Sequence, residues 1–250
     1  PGFIGNVHSA PHAVNVVINE LGMRDDPVAP GETIDVLAVG DSFTAGYMVN
    51  ADQAWPERLE HYLSVSAITP RTVRVLNGGV SGYSLKQIRL TARDYSSLQP
   101  KVVVAGVLPV VADRLVNPYQ WYEGYAVRAE KIPYLRKVDN GFLAALPQSG
   151  LAAETQFWLM QNFRIAASIW LAFANWQLAN SSDTGQANAT IDSLLPALLD
   201  ELGELDQFTR AHGQQLIVLL IGFQQPDGSF SDAVKMQNKT VMDFCLTNNI

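Results

Sequence analysis

A chain of 250 residues that is 48% apolar and 16% charged can bury one sizeable core, and its composition is neither disordered nor fibrous. The formal net charge of −7, with no run of Lys or Arg, excludes the clustered positive charge on which nucleic-acid binders depend, so no nucleic-acid partner is expected. A single cysteine, Cys245, excludes an internal disulfide and any multi-cysteine zinc site.

Residues 1–33 mix Gly, Pro, His and Asn with one short β-like run, Val14 to Ile18, and read as an N-terminal arm or edge strand leading into a domain at 34–250. The chain starts at Pro1 without a basic-then-apolar signal, and Ile250 follows directly on a predicted helix, so both ends read as cut. A membrane anchor outside the sequence is left open, and a periplasmic, secreted or membrane-anchored placement is favoured over the cytoplasm.

From Ile34 the run Ile-Asp-Val-Leu-Ala-Val-Gly is short, apolar and β-branched, which suits a strand buried on both faces of a parallel sheet. Trp55 to Leu63 has Pro56 at a first helical position and apolar residues at helical spacing. A second strand is expected at Thr72 to Leu76, then a loop Asn77 to Gly82, a helix Leu85 to Tyr95 and a third strand Val102 to Leu108. Alternating strands and helices predict an α/β fold with a parallel sheet, whose ligands sit outside the carboxyl ends of the strands. Gly40 to Thr44, Asn77 to Gly82 and Leu108 to Asp113 all lie at such ends.

From about 114 to 190 the pattern loosens into an insertion or lid, with aromatic residues at Tyr119, Trp121, Tyr122 and Tyr125 and an apolar helix around Phe157 to Leu178. The uninterrupted apolar stretch of that helix, Ile165 to Ala174, is about half the roughly twenty residues a membrane span needs. A helix Ile191 to His212 ending at Gly213, a fourth buried strand Gln215 to Ile221 and a helix Ser231 to Cys245 complete the chain.

Gly40-Asp41-Ser42-Phe43-Thr44 is the sharpest local signal, because a serine where a buried strand meets a helix N-terminus has backbone N–H groups near its Oγ that stabilise an oxyanion. Spacing alone is equally served by Asp41 and Ser42 as helix caps. Two other patterns are absent: neither Gly-x-Gly-x-x-Gly nor Gly-x-Ser-x-Gly occurs, which removes a dinucleotide site and leaves Ser81 as a turn residue.

The wider context favours chemistry. Val-Leu-Ala-Val-Gly-Asp-Ser-Phe-Thr-Ala-Gly46 resembles block I of the SGNH (GDSL-like) hydrolases, and Val75-Leu-Asn-Gly-Gly-Val-Ser-Gly-Tyr-Ser84 resembles their block II. Ile18-Asn-Glu-Leu-Gly-Met-Arg24 is similar to the lead-in many bacterial members place before block I. The resemblance implies a three-layer α/β/α sandwich with a mainly parallel, flavodoxin-like sheet. It makes Ser42 the nucleophile and an oxyanion donor through its own N–H, and the Gly79 N–H the second donor. It calls for no cofactor and no metal.

Two departures stand out. Block III usually carries an Asn, where Val111 or Ala112 stands here, so the enzyme works with two donors, has a substitute, or is a weakened relative. Block V supplies an Asp and a His three residues apart, and none of His8, His12, His61 and His212 has an Asp at that spacing. The pair is expected beyond Ile250, and these 250 residues alone are expected to be nearly inactive. The function implied is hydrolysis of a small-molecule, lipid or carbohydrate ester through an acyl-enzyme. An O-acyltransferase acting on a carbohydrate, or an inactive glycan-binding relative, is the alternative.

Overall fold

The computed structural model describes residues 3–9, 12–66, 72–116, 119–122, 125–128, 135–138, 142–145, 158, 184–225 and 227–250. Strands β1 (Phe3–Ser9) and β2 (His12–Ile18) come first, followed by β3 (Val36–Gly40), a single-turn helix α1 (Ser42–Ala45) and α2 (Trp55–Val65). Next are β4 (Val75–Gly79), α3 (Leu85–Asp94), β5 (Val102–Val107) and a 3-10 segment Pro109–Leu115. Four short strands follow, β6 (Tyr119–Tyr122), β7 (Tyr125–Arg128), β8 (Leu135–Val138) and β9 (Phe142–Ala145). The chain closes with α4 (Thr184–Ala211), β10 (Gln215–Leu220) and α5 (Asp232–Asn248). It divides into two compact units, one made of Pro1–Leu115 with Ile191–Ile250 and the other of Val116–Thr190.

The first unit is built on a four-stranded parallel sheet in the order β10-β5-β3-β4. Its central strands are apolar runs because both of their faces are covered. Leu37, Val39, Leu76, Val103, Ala105, Val107 and Leu216 face α3, α4 and α5, while Val36, Ala38, Val75 and Val104 face α2 through Trp55, Leu59 and Leu63. Helices on both faces give the three-layer α/β/α sandwich expected. Because β4 and β5 flank β3 on opposite sides, the chain leaves β3 and β5 in opposite directions and opens a crevice at their carboxyl ends, the usual ligand position in such sheets.

Several details differ from the sequence reading. The run around Val14 is half of a β1–β2 hairpin that pairs with itself from Phe3↔Ile18 to Ser9↔His12, and not with the main sheet. Asn77, Gly78 and Gly79 belong to β4 and not to a loop, since Gly79 lies in ladder register with Gly40. The strand Gln215 to Ile221 was expected to be buried on both faces, but β10 is buried on one: Leu216 is 5% exposed whereas Ile217 and Leu219 are 44% and 39% exposed. Helix α2 does not extend over this edge of the sheet.

In the second unit the described residues form two antiparallel hairpins, β6–β7 and β8–β9, within the stretch expected to be an insertion or lid. The aromatic residues Tyr119, Trp121, Tyr122 and Tyr125 belong to the first of them. The expected apolar helix from Phe157 to Leu178 lies outside the described residues apart from Trp158. Among the described residues, no helix is long and apolar enough to cross a membrane.

Candidate active site

Block I folds into a strand end capped by one helical turn. Asp41 is the N-cap of α1: its extended backbone leaves the strand, and Oδ1 accepts from the Phe43 N–H at 3.0 Å. The capping role therefore falls to Asp41, and Ser42 becomes the first helical residue. Gly46 ends the turn in the left-handed region at φ 70, donating to the carbonyls of Phe43 and Ser42. Ser42 is half-buried, and among the described residues no hydrogen bond engages its N–H or its Oγ.

Three glycines at the ends of adjacent strands let α1 sit directly on the sheet. A Cβ on Gly79 would lie 2.6 Å from the Thr44 carbonyl carbon and closer still to the Ala45 nitrogen. A Cβ on Gly106 would meet Thr44 Oγ1 at 2.5 Å, and one on Gly40 would overlap the same oxygen. Thr44 is fully buried between them, and its Oγ1 makes no hydrogen bond among the described residues. That unmade bond is the local cost of packing a helical turn against bare backbone.

Gly79, the expected second donor, ends β4 in register with Gly40, two residues before Ser42. Its N–H donates to the Oδ1 of Asn77 at 3.1 Å, and the next N–H, of Val80, donates to the Gly40 carbonyl at 3.0 Å. Asn77 is buried, and its own N–H donates to Asp25 Oδ2 at 2.8 Å.

Two arginines organise the site that the sequence reading did not single out. Arg24 ends the lead-in segment and is nearly buried; it donates to the carbonyls of Ala45 at 2.8 Å, Val49 at 2.6 Å and Gly46, the three that close the serine turn. The lead-in is itself held by Asn19, whose Oδ1 accepts from Leu21 and Met23, and by the Tyr95 hydroxyl on the Leu21 carbonyl. Arg114, from the segment after β5, donates to Asp41 Oδ2 at 2.9 Å and to the Tyr83 carbonyl at 3.4 Å, so it joins all three strand-end segments. No motif marks either arginine; only the Arg at the end of the lead-in was visible at all.

Behind the site lies a charged cluster. Asp25 binds Arg74 at 2.8 Å, and Arg74 also reaches Glu32 and Glu60 at 3.2 and 3.0 Å. Burial pushes the Asp25 carboxyl up, with the Asn77 N–H and Arg74 opposing it. Burial, and then the charges of Asp25 and Glu60, push Glu57 up to about 7.

The expected block III position is apolar, as read: Ala112 is buried, and it and Val111 line a recess with Tyr83, Leu85, Ile88 and Leu198, next to Asp41. Phe43, beside the serine, packs edge-on against Phe223 at 5.4 Å, and both are about half exposed. The histidines sit elsewhere. His61 lies on α2 against Tyr62; His212 follows the C-terminus of α4, where Nδ1 meets the Phe208 carbonyl at 2.8 Å, at the opposite end of the sheet. His8 and His12 belong to β1 and β2. Among the described residues, neither His61 nor His212 is hydrogen-bonded to Ser42.

No family model and no curated protein matches the chain. Solved structures do. A protein assigned to the lipolytic G-D-S-L family from Desulfitobacterium hafniense DCB-2 is similar at 13% identity over 87% of this chain and 75% of its own, with a TM-score of 0.44. TesA gives 15% identity over 86% and 74%, with a TM-score of 0.44. AlinE4, an SGNH-hydrolase family esterase, gives 16% identity over 88% and 75%, with a TM-score of 0.38. Identities this low and TM-scores below 0.5 leave the fold class resting on the chain's own sheet order, and any reaction on its own residues.

Proposed function

We propose that the protein is a serine ester hydrolase of the SGNH/GDSL type, working through an acyl-enzyme on Ser42. The observation that carries this reading is a serine at the first turn of α1, over the β3–β5 crevice, whose hydroxyl and N–H are unengaged among the described residues. The Oγ attacks the acyl carbonyl carbon, the ester C–O bond breaks, and the alcohol leaves with a proton. Water then cleaves the acyl-serine ester. The charge developing on the carbonyl oxygen is taken by the Ser42 N–H and by the Gly79 N–H, which turns to it from Asn77 Oδ1. One such donor is worth about 10² to 10³ in rate, so the reaction depends on both when Val111 and Ala112 offer no side-chain donor.

The half-exposed Phe43–Phe223 pair beside the serine supports an apolar acyl group as the part of the substrate nearest it. A serine hydroxyl without a base is a poor nucleophile near neutral pH, and among the described residues neither His61 nor His212 bonds to this one. Turnover by these residues is therefore slow and rises when a base is supplied in solution. The test is hydrolysis of a short-chain aryl ester by the protein and by Ser42→Ala, each with and without imidazole. The proposal expects an imidazole-stimulated rate that Ser42→Ala lacks; equal rates from the two folded proteins would remove it.

A further inference from the structure

We infer that Arg24 and Asp25 are positioning residues which together set the separation of the two oxyanion donors, Arg24 through the serine turn and Asp25 through Asn77. The inference rests on the hydrolase reading of Ser42 and says what holds its site in shape.

A helix of four residues cannot hold its own geometry, since fixing a first turn costs more than its single hydrogen bond returns. The direction of the Ser42 N–H therefore depends on contacts from outside α1. On one side the sheet supplies them through the bare strand ends at Gly40, Gly79 and Gly106. On the other side three carbonyls of the turn and the residues after it converge on one guanidinium, that of Arg24, through Nη1 to Ala45 and Gly46 and through Nη2 to Val49. A planar fork of donors reaches three carbonyls at once where an ammonium would act as a point charge, and a cation at a helix C-terminus also suits the helix dipole.

The adjacent residue serves the other donor. Asp25 Oδ2 accepts from the Asn77 N–H at 2.8 Å, and Asn77 Oδ1 accepts from the Gly79 N–H at 3.1 Å. Asp25 Oδ1 is fixed by Arg74 at 2.8 Å and by the Asp26 N–H at 2.7 Å, and its side chain is wholly removed from water. Arg74 in turn binds Glu60, whose Oε2 accepts from the Val75 N–H at 2.7 Å, so the cluster grips β4 at its start as well as near its end. One rigid peptide unit thus connects both halves of the oxyanion site, and neither residue touches the substrate position.

The test compares Arg24→Lys and Asp25→Asn with the unaltered protein and with Leu202→Ala, a core truncation on α4 that lowers stability without touching the site. Two readouts are taken: amide hydrogen exchange at Ser42 to Tyr47 and at Asn77 and Gly79, and kcat and KM for the Ser42-dependent, imidazole-stimulated ester hydrolysis, per folded molecule. Arg24→Lys is expected to speed exchange in the serine turn, and Asp25→Asn at Asn77 and Gly79. Each should lower kcat at least about tenfold with KM unchanged, since misplacement by an ångström costs on the order of 10²-fold. Leu202→Ala should keep kcat. Unchanged exchange at those amides, or kcat retained by both variants, would overturn the inference. An unaltered protein with no Ser42-dependent turnover overturns the hydrolase reading and this inference together, and is told apart because there the parent itself is inactive.

Discussion

Arg114 and Asp41 meet at the mouth of the crevice, Nη1 to Oδ2 at 2.9 Å, with side chains only 13% and 3% exposed. The same carboxylate caps α1 through its other oxygen, so one ion pair ties the segment after β5 to the turn that carries Ser42. Arg114→Met would leave that carboxylate buried without its cation, a change that costs about 3–5 kcal/mol in comparable pairs. Asp41→Asn keeps the capping oxygen and should cost less. Urea unfolding of the two variants measures the difference, and equal losses would mean that loss of the pair's attraction, not the stranding of a buried carboxylate, sets the cost.

The glycines under α1 differ in what they tolerate. Gly79→Ala drives a methyl into the backbone of Thr44 and Ala45, whereas a Cβ on Gly78 meets the Ala38 carbonyl oxygen at 3.2 Å, a contact a small shift relieves. Overpacking costs about 1–3 kcal/mol, so Gly79→Ala is expected at the top of that range or beyond and Gly78→Ala near the bottom. Thermal melts of both check the order, and Gly79→Ala should also abolish Ser42-dependent turnover.

Glu57 gives stability a pH dependence of defined sign. Burial first, then the charges of Asp25 and Glu60, raise its pKa in the folded protein to about 7 from an ordinary value of 4.5. Between those values the folded state holds more protons than the unfolded one, so stability falls as pH rises through that window. Glu57→Gln should flatten the slope and stabilise the protein above pH 7, as read from urea midpoints between pH 5 and 8. An unchanged slope would show that Glu57 ionises normally in the fold.

The outer face of β10 should be permissive. Ile217→Thr, at a site 44% exposed, is expected to change stability by less than about 0.5 kcal/mol, while Leu216→Ala on the buried face costs about 2–5 kcal/mol. Chemical denaturation separates them. Similar costs at the two positions would mean that the bare face is covered in solution.

The sheet was legible because strands buried on both faces read as short β-branched runs, and the serine turn because Gly-Asp-Ser interrupts such a run. The same rule misled at β10, where Gln215 to Leu220 is apolar enough for two covered faces and receives one. Gly78 and Gly79 read as loop because glycine is rare in strands, yet here they are strand residues, Gly79 kept bare for α1 to approach and Gly78 packed close to the neighbouring β3 backbone. Four-residue strands such as β6 to β9 are too short for alternation to register. Arg24 and Arg114 were missed for a different reason: their partners are 21 to 73 positions away in sequence, at separations no local pattern encodes, as with Arg114 and Asp41 at 73 residues.

The most direct test of the account is the site of covalent reaction with a serine-directed fluorophosphonate, read by intact mass and peptide mapping in the presence of imidazole. The account predicts one adduct, on Ser42, that Ser42→Ala does not form. A folded protein that takes up no probe, or an adduct that persists in Ser42→Ala, would contradict it.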